Sequence, residues 1–359
     1  MNKYIRFALI ISVLIIVIGA WREVRAPHMP AQTITETFIT THLVQNNGLI
    51  RSNMTTRQQE YLSESMGLWM YYLQQVNNEQ VFRQQFDVFQ RYFYTPHEVI
   101  PWVIEVEKVS TVNALIDDFR IMMALHHAAQ QFGDANYEQT ASAIGQTILQ
   151  RQLLNGVFVD FYDENSAYAN DSVTLSYMMP EAFQYLRSIG ILSSEYYEKN
   201  RRILVDAPSH EMYFFPKSYH IPSQTYQFEE EVNMIDQYYI GFYRAQWQGD
   251  VSQLVDFTKR QLAEHGRIFG RYDARERKPT VAYESPSAYA LAILMMLTLE
   301  EDEVAQQLWL QLQTLRIDDS SSPYYGGYID VLSKDTHMFD NVLPAIAERR
   351  GHDAGIFTE

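Results

Sequence analysis

The sequence contains no cysteine, which excludes disulfide bonds, thiolate metal ligands and cysteine nucleophiles. Glycine (15) and proline (12) are scarce for 359 residues. An all-β protein needs turn residues at intervals of about 8–12 positions, so this composition favours helices. With 28 basic against 44 acidic residues, the chain also lacks the positive charge that binds nucleic-acid phosphates. The hydrophobic fraction of 47% is that of a globular protein with a buried core.

The first 26 residues differ from the rest. Lys3 and Arg6 precede an apolar run over residues 7–21, FALIISVLIIVIGAW, and charged residues follow it. A basic start with a short apolar centre predicts an export signal. The alternative is an uncleaved membrane anchor. Its apolar run is slightly shorter than a helix that spans a bilayer, which needs about 20 residues. Both interpretations place the domain outside the cell or at its surface, with membrane contact only through this segment.

The exported part is more acidic than the whole chain. Four basic residues and one acidic residue lie in residues 1–26, so residues 27–359 carry a net charge of −19. Residues 27–50 are polar and irregular, and they are interpreted as a linker to a domain over residues 51–359.

Residues 51–359 predict paired helices of a recurring length. Apolar residues recur at helical spacing in eleven segments, which are 55–76, 79–94, 111–132, 135–153, 174–188, 194–204, 230–246, 250–265, 284–299, 301–315 and 336–349. The pairs begin about 52 to 63 residues apart and are separated by loops, which indicates one helical hairpin repeated six times. Six hairpins closed into a ring form an all-α (α/α)6 barrel. An open α-solenoid is the alternative.

Acidic residues and tyrosines occur near the start of the first helix of each pair. They are Glu64, Asp117, Asp118, Tyr177, Asp236, Tyr238, Tyr239, Tyr283, Glu284 and Asp340. Each carboxylate could simply stabilise a helix N-terminus. If the inner helices are parallel, however, all of these side chains meet at one rim of the barrel. Aromatic faces stack on sugar rings, and carboxylates bind hydroxyl groups and transfer protons, so the rim indicates a glycan site.

Four segments resemble the motifs of glycoside hydrolase family 8. Residues 63–70, SESMGLWM, match the Ser-Glu-Gly-Gln-Gly-Tyr-Gly-Met motif at four of eight positions, including the Glu. Residues 118–128, DFRIMMALHHA, resemble Asp-x-x-Ile-Ala-x-Ser/Ala-Leu-x-x-Ala, and residues 176–180, SYMMP, resemble Ser-Tyr-Phe-x-Pro. Residues 235–239, IDQYY, share only the Asp of Tyr-Asp-Ala-x-Arg and lack its Arg. The resemblance covers about residues 50–349 and implies the (α/α)6 barrel.

The resemblance also implies an inverting, endo-acting polysaccharide hydrolase. No metal or cofactor is expected, because the sequence has no HExxH, GxGxxG or Walker motif. The resemblance assigns Glu64 as the general acid and Asp236 as the general base. Burial beside Met66 and Trp69 is expected to raise the pKa of Glu64. Ile116 aligns with the family Asp that contacts the sugar at the cleavage point, so Asp117 or Asp118 is expected to replace it. Tyr177 is expected to orient the water or the sugar, and the candidate stacking residues are Trp69, Trp102, Tyr238, Tyr239, Tyr324 and Tyr325.

Other functions remain open at this point. A non-catalytic polysaccharide-binding or synthase-associated protein on a degenerate barrel would not need Glu64 and Asp236 to face each other. A polysaccharide lyase would need groups that neutralise a uronate, which an acidic cleft does not provide. The net charge favours a neutral or partly deacetylated amino-sugar polymer over a uronate polymer. Resemblance to exopolysaccharide hydrolases implies a biofilm polymer as substrate and the polymer's synthesis machinery as a partner.

Overall fold

The computed structural model describes residues 33–55, 57, 59–105, 108–208 and 213–357. The expected export signal or anchor over residues 1–26 lies outside these ranges. Within them, no helix combines the length and the apolar character needed to cross a membrane.

The described residues form twelve α-helices. These are α1 (Ile34–His42), α2 (Ser63–Gln75), α3 (Glu79–Tyr92), α4 (Leu115–Phe132), α5 (Ala135–Arg151), α6 (Pro180–Ser188), α7 (Ser194–Val205), α8 (Met234–Gln246), α9 (Ser252–His265), α10 (Pro286–Thr298), α11 (Asp302–Gln313) and α12 (Met338–Asp353). A 3-10 turn, Leu175–Tyr177, precedes α6.

The even-numbered helices form a closed inner ring. Helix α2 packs on α4, α4 on α6, α8 on α10 and α10 on α12, and α12 returns to α2. The 3-10 turn before α6 packs on α8 and completes the circle. Helix α10 shows why these helices lie inside, because ten of its thirteen residues are buried and its sequence, PSAYALAILMMLT, is apolar on every side. The predicted (α/α)6 barrel is confirmed, and the open solenoid is wrong.

The outer partner of α12 comes from the other end of the chain. Helix α1 packs on α12, within the segment 27–50 that the sequence predicts to be a linker. Phe38 and Ile39 are buried at 1% and 0% exposure, and Leu43, Leu49 and Ile50 are also in the core. The linker interpretation is therefore wrong from residue 34 onwards. Its helix has nine residues, four of which are β-branched threonines, so it depends on tertiary packing, which local helical propensity does not reveal.

Several predicted helix starts are also too early. The first predicted helix, 55–76, begins only at Ser63, because Tyr61–Leu62 forms a short strand instead. The segment 174–188 is divided into the 3-10 turn and α6, with Pro180 as the first residue of α6. Proline fits the first helical turn but not a helix interior, so the longer helix could not continue through it.

Short antiparallel strands replace the predicted plain loops beside the inner-helix starts. They are β1 (Tyr61–Leu62), β2 (Val103–Glu105), β3 (Lys108–Val109), β4 (Leu153–Leu154), β5 (Val157–Phe158), β6 (Tyr162–Asp163), β7 (Tyr168–Ala169), β8 (Ser172–Thr174), β9 (Ser218–His220), β10 (Thr225–Gln227), β11 (Glu231–Asn233) and β12 (Arg271–Asp273). The sheets are ordered β1-β2-β3, β10-β9-β8, β11-β12, β4-β5 and β6-β7. Strands β1 and β11 lead directly into α2 and α8, so they fix where those helices begin.

Candidate active site

A cavity of about 310 Å³ opens where the inner helices begin. Its lining residues are Leu62, Glu64, Trp102, Ala114, Ile116, Asp117, Arg120, Ser176, Tyr177, Ile235, Asp236, Tyr239 and Phe339. The cavity thus brings together six of the side chains that the sequence predicts to be functional, which are Glu64, Trp102, Asp117, Tyr177, Asp236 and Tyr239. They come from α2, α4, the 3-10 turn, α8 and the β2 region, which are far apart in sequence.

Glu64 lies in the first turn of α2, where the chain leaves β1. The register of β1 against β2 places Leu62 opposite Val103, and the Ser63 N–H donates to the Trp102 carbonyl oxygen at 3.1 Å. The Glu64 side chain is 28% exposed. Burial raises the pKa of Glu64, the Arg120 guanidinium opposes this effect, and the charge of Asp340 adds to it. The expected rise in the pKa of Glu64 therefore has support.

Asp117 and Arg120 form a buried ion pair on α4. Arg120 Nη1 lies 3.0 Å from Asp117 Oδ1 and 3.6 Å from Glu64 Oε2. Ser63 Oγ donates to Asp117 Oδ2 at 2.9 Å. Burial raises the pKa of Asp117 to about 7, although the Arg120 guanidinium opposes it. Two acids with raised pKa values and one cation therefore share one wall of the cavity.

Asp236 lies in the first turn of α8, three places around the inner ring from α2. Ser176 Oγ donates to Asp236 Oδ1 at 2.8 Å, and Lys217 Nζ lies 3.7 Å from Oδ2. The same Lys217 is 2.9 Å from Glu229. A hydrogen bond and an ammonium group thus hold the Asp236 carboxylate in place, opposite the helix that carries Glu64.

Aromatic side chains complete the cavity. Trp102 is 43% exposed. Its backbone N–H donates to the Val112 carbonyl oxygen at 2.9 Å, and this hydrogen bond holds the backbone that carries the ring. Burial raises the pKa of Tyr177, and the charge of Asp117 adds to the rise. Burial also raises the pKa of Tyr239 to about 12. Both phenols are therefore neutral hydrogen-bonding groups near pH 7.

The remaining predicted site residues do not line the cavity. Trp69 is 1% exposed and stacks on Tyr72 in the core, so it offers no stacking surface to a sugar. Asp118 is buried and accepts a hydrogen bond from Asn113 at 2.6 Å. Tyr238 is fully buried, with its hydroxyl 2.9 Å from Thr258 on the outer helix α9.

Two further stacking candidates lie elsewhere. The ring of Tyr324 lies 5.7 Å from that of His42, next to α1, and neither Tyr324 nor its neighbour Tyr325 lines the cavity. Adjacent positions on one helix point about 100° apart, so a pair such as Tyr238 and Tyr239 cannot both face the barrel axis.

The sequence prediction missed several polar residues of the cavity. Arg120 interrupts an apolar helix three residues after Asp117, and this spacing is the signal that could have revealed the ion pair. Ser176 adjoins Tyr177 in the motif SYMMP, but its bond to Asp236 joins residues sixty positions apart. Lys217 lies in a segment that no motif covers.

A second polar cavity, of about 570 Å³, includes Asp340, which follows Phe339 of the first cavity in the chain. It is lined by Asn53, Arg57, Glu284, Pro286, Leu315, Tyr328, Ile329, Asp330, Asp335, Thr336, His337 and Asp340. Glu284 and Asp340, two of the predicted rim acids, therefore lie here and not beside Asp236. Among the described residues, no group of three or more His, Asp or Glu side chains is arranged to hold a metal ion.

No family model matches the sequence. A curated relative is "Putative lipoprotein YdaJ" from Bacillus subtilis (strain 168), which is 38% identical over 330 residues. This alignment covers 91% of the chain and 88% of YdaJ.

Solved structures share the fold over nearly the whole chain. A novel alpha-amylase from Clostridium perfringens has a TM-score of 0.82 at 24% identity, covering 88% of this chain and 96% of that one. PssZ from Listeria monocytogenes has a TM-score of 0.75 at 27% identity, with 89% and 96% covered. Endoglucanase Cel10 from Klebsiella pneumoniae, a family 8 glycosyl hydrolase, has a TM-score of 0.64 at 14% identity, with 90% and 100% covered. The resemblance to a divergent family 8 branch is confirmed in the fold.

Proposed function

Since the chain belongs to the family of YdaJ from Bacillus subtilis and has the barrel fold of family 8 glycosyl hydrolases, we propose that it is an inverting, endo-acting glycoside hydrolase. Its substrate is an extracellular polysaccharide. The observation that carries the proposal is that Glu64 and Asp236 line one cavity from inner helices on opposite sides of the ring.

Glu64 is the general acid in this mechanism. It donates a proton to the glycosidic oxygen as the bond between that oxygen and the anomeric carbon breaks. An acid must hold its proton near neutral pH, and burial raises the pKa of Glu64 in the required direction.

Asp236 is the general base. It takes a proton from a water molecule, whose oxygen attacks the anomeric carbon from the face opposite the leaving group. A single displacement inverts the configuration at that carbon. The two carboxyl groups of inverting enzymes lie about 6.5–9.5 Å apart to leave room for the water, and placement on opposite helices supports this arrangement.

Other cavity residues hold the sugar. Asp117 accepts hydroxyl hydrogen bonds at the cleavage point, Tyr177 orients the water or the sugar, and the rings of Trp102 and Tyr239 provide stacking surfaces. Asp117 is preferred over Asp118 because only Asp117 lines the cavity.

Export through residues 1–26 places the enzyme outside the cell or at its surface, where it meets polymers such as a β-glucan, a chitosan-like polymer or the biofilm exopolysaccharide. The name of YdaJ describes a lipoprotein. These 359 residues contain no cysteine thiol for lipid attachment, so any anchor in them is the apolar run 7–21. The polymer's synthesis machinery is a proposed partner.

The test compares the wild type with Glu64→Gln and Asp236→Asn on soluble β-glucan, chitosan, starch and native exopolysaccharide. General acid or base catalysis contributes about 10²–10⁴-fold, so each variant should lose at least about 100-fold in kcat while still binding the glycan. Asp256→Asn on the exposed side of α9 is the matched control and should keep full activity.

Proton NMR of freshly released chain ends should show inverted anomeric configuration. Retention of configuration at early times would contradict the single-displacement mechanism. Wild-type protein that binds a polysaccharide but hydrolyses none would instead establish the non-catalytic binding alternative.

A further inference from the structure

Arg120 contacts the two acidic side chains of the cavity wall unequally. Its Nη1 lies 3.0 Å from Asp117 Oδ1 but 3.6 Å from Glu64 Oε2. We propose that Arg120 is a positioning residue that places the negative charge on Asp117 and thereby leaves the catalytic proton on Glu64. The proposal rests on the acid role of Glu64 given above.

The first step is the competition between two neighbouring carboxyl groups. Ionisation of one disfavours ionisation of the other, so the pair holds one proton over a range of pH. The proton stays on the group whose anion is less well stabilised. Asp117 accepts from both Ser63 and Arg120, whereas Glu64 has the longer contact with the same guanidinium. The shorter contact and the second donor therefore favour the anion on Asp117, against the burial that raises the pKa of this carboxyl group.

The second step is what fixes the guanidinium in this unequal position. Arg120 Nη2 donates to the Tyr239 hydroxyl at 2.8 Å, and the guanidinium carbon lies 5.3 Å from the centre of the Tyr239 ring and 5.9 Å from that of Phe339. Tyr239 comes from α8, across the barrel. Its hydroxyl holds Nη2, so the guanidinium is restrained from turning further towards Glu64.

The third step is the close approach of the two helices involved. At Gly67 of α2, an added Cβ would lie 3.0 Å from the Ile121 side chain and 3.1 Å from Arg120 Cβ. A glycine at this position lets α4 approach α2 closely enough for Arg120 to reach Glu64, one turn earlier on α2.

Other charged or titratable groups also face Glu64. They are Asp117 on α4, Tyr177 on the 3-10 turn, Asp236 and Tyr239 on α8, and Asp340 on α12, with His337 beside Asp340 and Lys217 beside Asp236. The carboxylates among them favour a protonated Glu64, and Arg120 favours its anion. The distance between Arg120 and Glu64 therefore determines how strongly the guanidinium opposes the carboxylates and lowers the pKa of Glu64.

The test measures the basic limb of the pH profile of kcat/KM, which falls as Glu64 loses its proton. Arg120→Gln removes the cation that stabilises the doubly ionised pair, so the pair loses its last proton at higher pH and the limb should move up by about 1–3 units. Without the closer contact to Asp117, a larger share of that proton lies on Asp117, so the plateau of kcat/KM should fall. Tyr239→Phe keeps the cation but releases it towards Glu64, so the limb should move to lower pH. Tyr238→Phe, which loses a hydroxyl outside the cavity, is the matched control and should leave the limb in place.

Opposite shifts from two variants are the signature, because a merely structural role would lower kcat without moving the limb. If hydrolysis persists in both variants and neither limb moves, the inference is overturned and the proposed function stands. If Arg120→Gln does not fold, the downward shift in Tyr239→Phe still decides the question.

A second measurement does not require activity. ¹³C NMR titration of carboxyl-labelled protein, assigned with Glu64→Gln and Asp117→Asn, reports which acid keeps its proton in the wild-type chain. We expect Glu64 to titrate at higher pH than Asp117. The reverse order would overturn the inference, whereas absence of hydrolysis with the expected order would refute only the proposed function.

Discussion

Phe38 provides a test of whether the N-terminal helix α1 belongs to the barrel. The ring is 1% exposed, and a Cβ added at Gly327 would lie 2.5 Å from it, so the ring occupies space that only a glycine leaves free. Removal of a buried phenylalanine side chain typically costs about 3–5 kcal/mol. Since a whole domain is stable by only about 5–15 kcal/mol, Phe38→Ala should remove a large part of the free energy of unfolding.

The assay is equilibrium urea unfolding of the full chain, followed by tryptophan fluorescence. Leu332→Ala is the control, because Leu332 is 96% exposed and surface substitutions usually change stability by less than about 0.5 kcal/mol. A loss of less than about 1 kcal/mol in Phe38→Ala would refute the reasoning. It would mean that α1 does not unfold with the barrel and that the segment behaves as the linker predicted from sequence.

Two further predictions concern the glycan. Trp102→Ala should weaken binding of a soluble oligosaccharide by about tenfold, which corresponds to ~1.4 kcal/mol, whereas Tyr324→Ala should not change it; calorimetric titration measures both, and equal losses would contradict the cavity assignment. Because residues 27–359 carry a net charge of −19, hydrolysis of an N-deacetylated polymer should slow as salt rises from about 0.01 M to about 0.15 M, where the Debye length falls from about 30 Å to about 8 Å. A neutral polymer should show no such effect, and a preference for a uronate polymer would refute the electrostatic argument.

Local patterns in the sequence were sufficient to predict most of the barrel. Helical periodicity depends on residues within one or two turns, so the hairpins and their repeat are readable without a structure. The same periodicity places the rim acids near the starts of the inner helices, and the resemblance to family 8 motifs distinguishes Glu64 and Asp236 among them.

The sequence alone could not identify which aromatic residues face the cavity. Tyr238 and Tyr239 are adjacent residues of the same type. The rotation of α8 about its own axis, set by packing against α9 and α10, makes Tyr239 contact Arg120 and Tyr238 contact Thr258. The prediction that Trp69 stacks on sugar is wrong for the same reason. The side of α2 that carries Trp69 and Tyr72 faces the core.

The sequence by itself determined the class of fold and the repeat of helical hairpins, and its resemblance to family 8 indicated the two acids expected to perform the chemistry. Only the tertiary structure decided that α1 completes the outer layer, that Asp117 and not Asp118 lines the cavity, and that Arg120 joins Glu64, Asp117 and Tyr239. The physical reason is the separation along the chain of the residues that interact. Periodicity and capping act within a few residues, whereas the ion pair and hydrogen bonds of the cavity join side chains up to 119 positions apart, and no local pattern encodes which of them will meet.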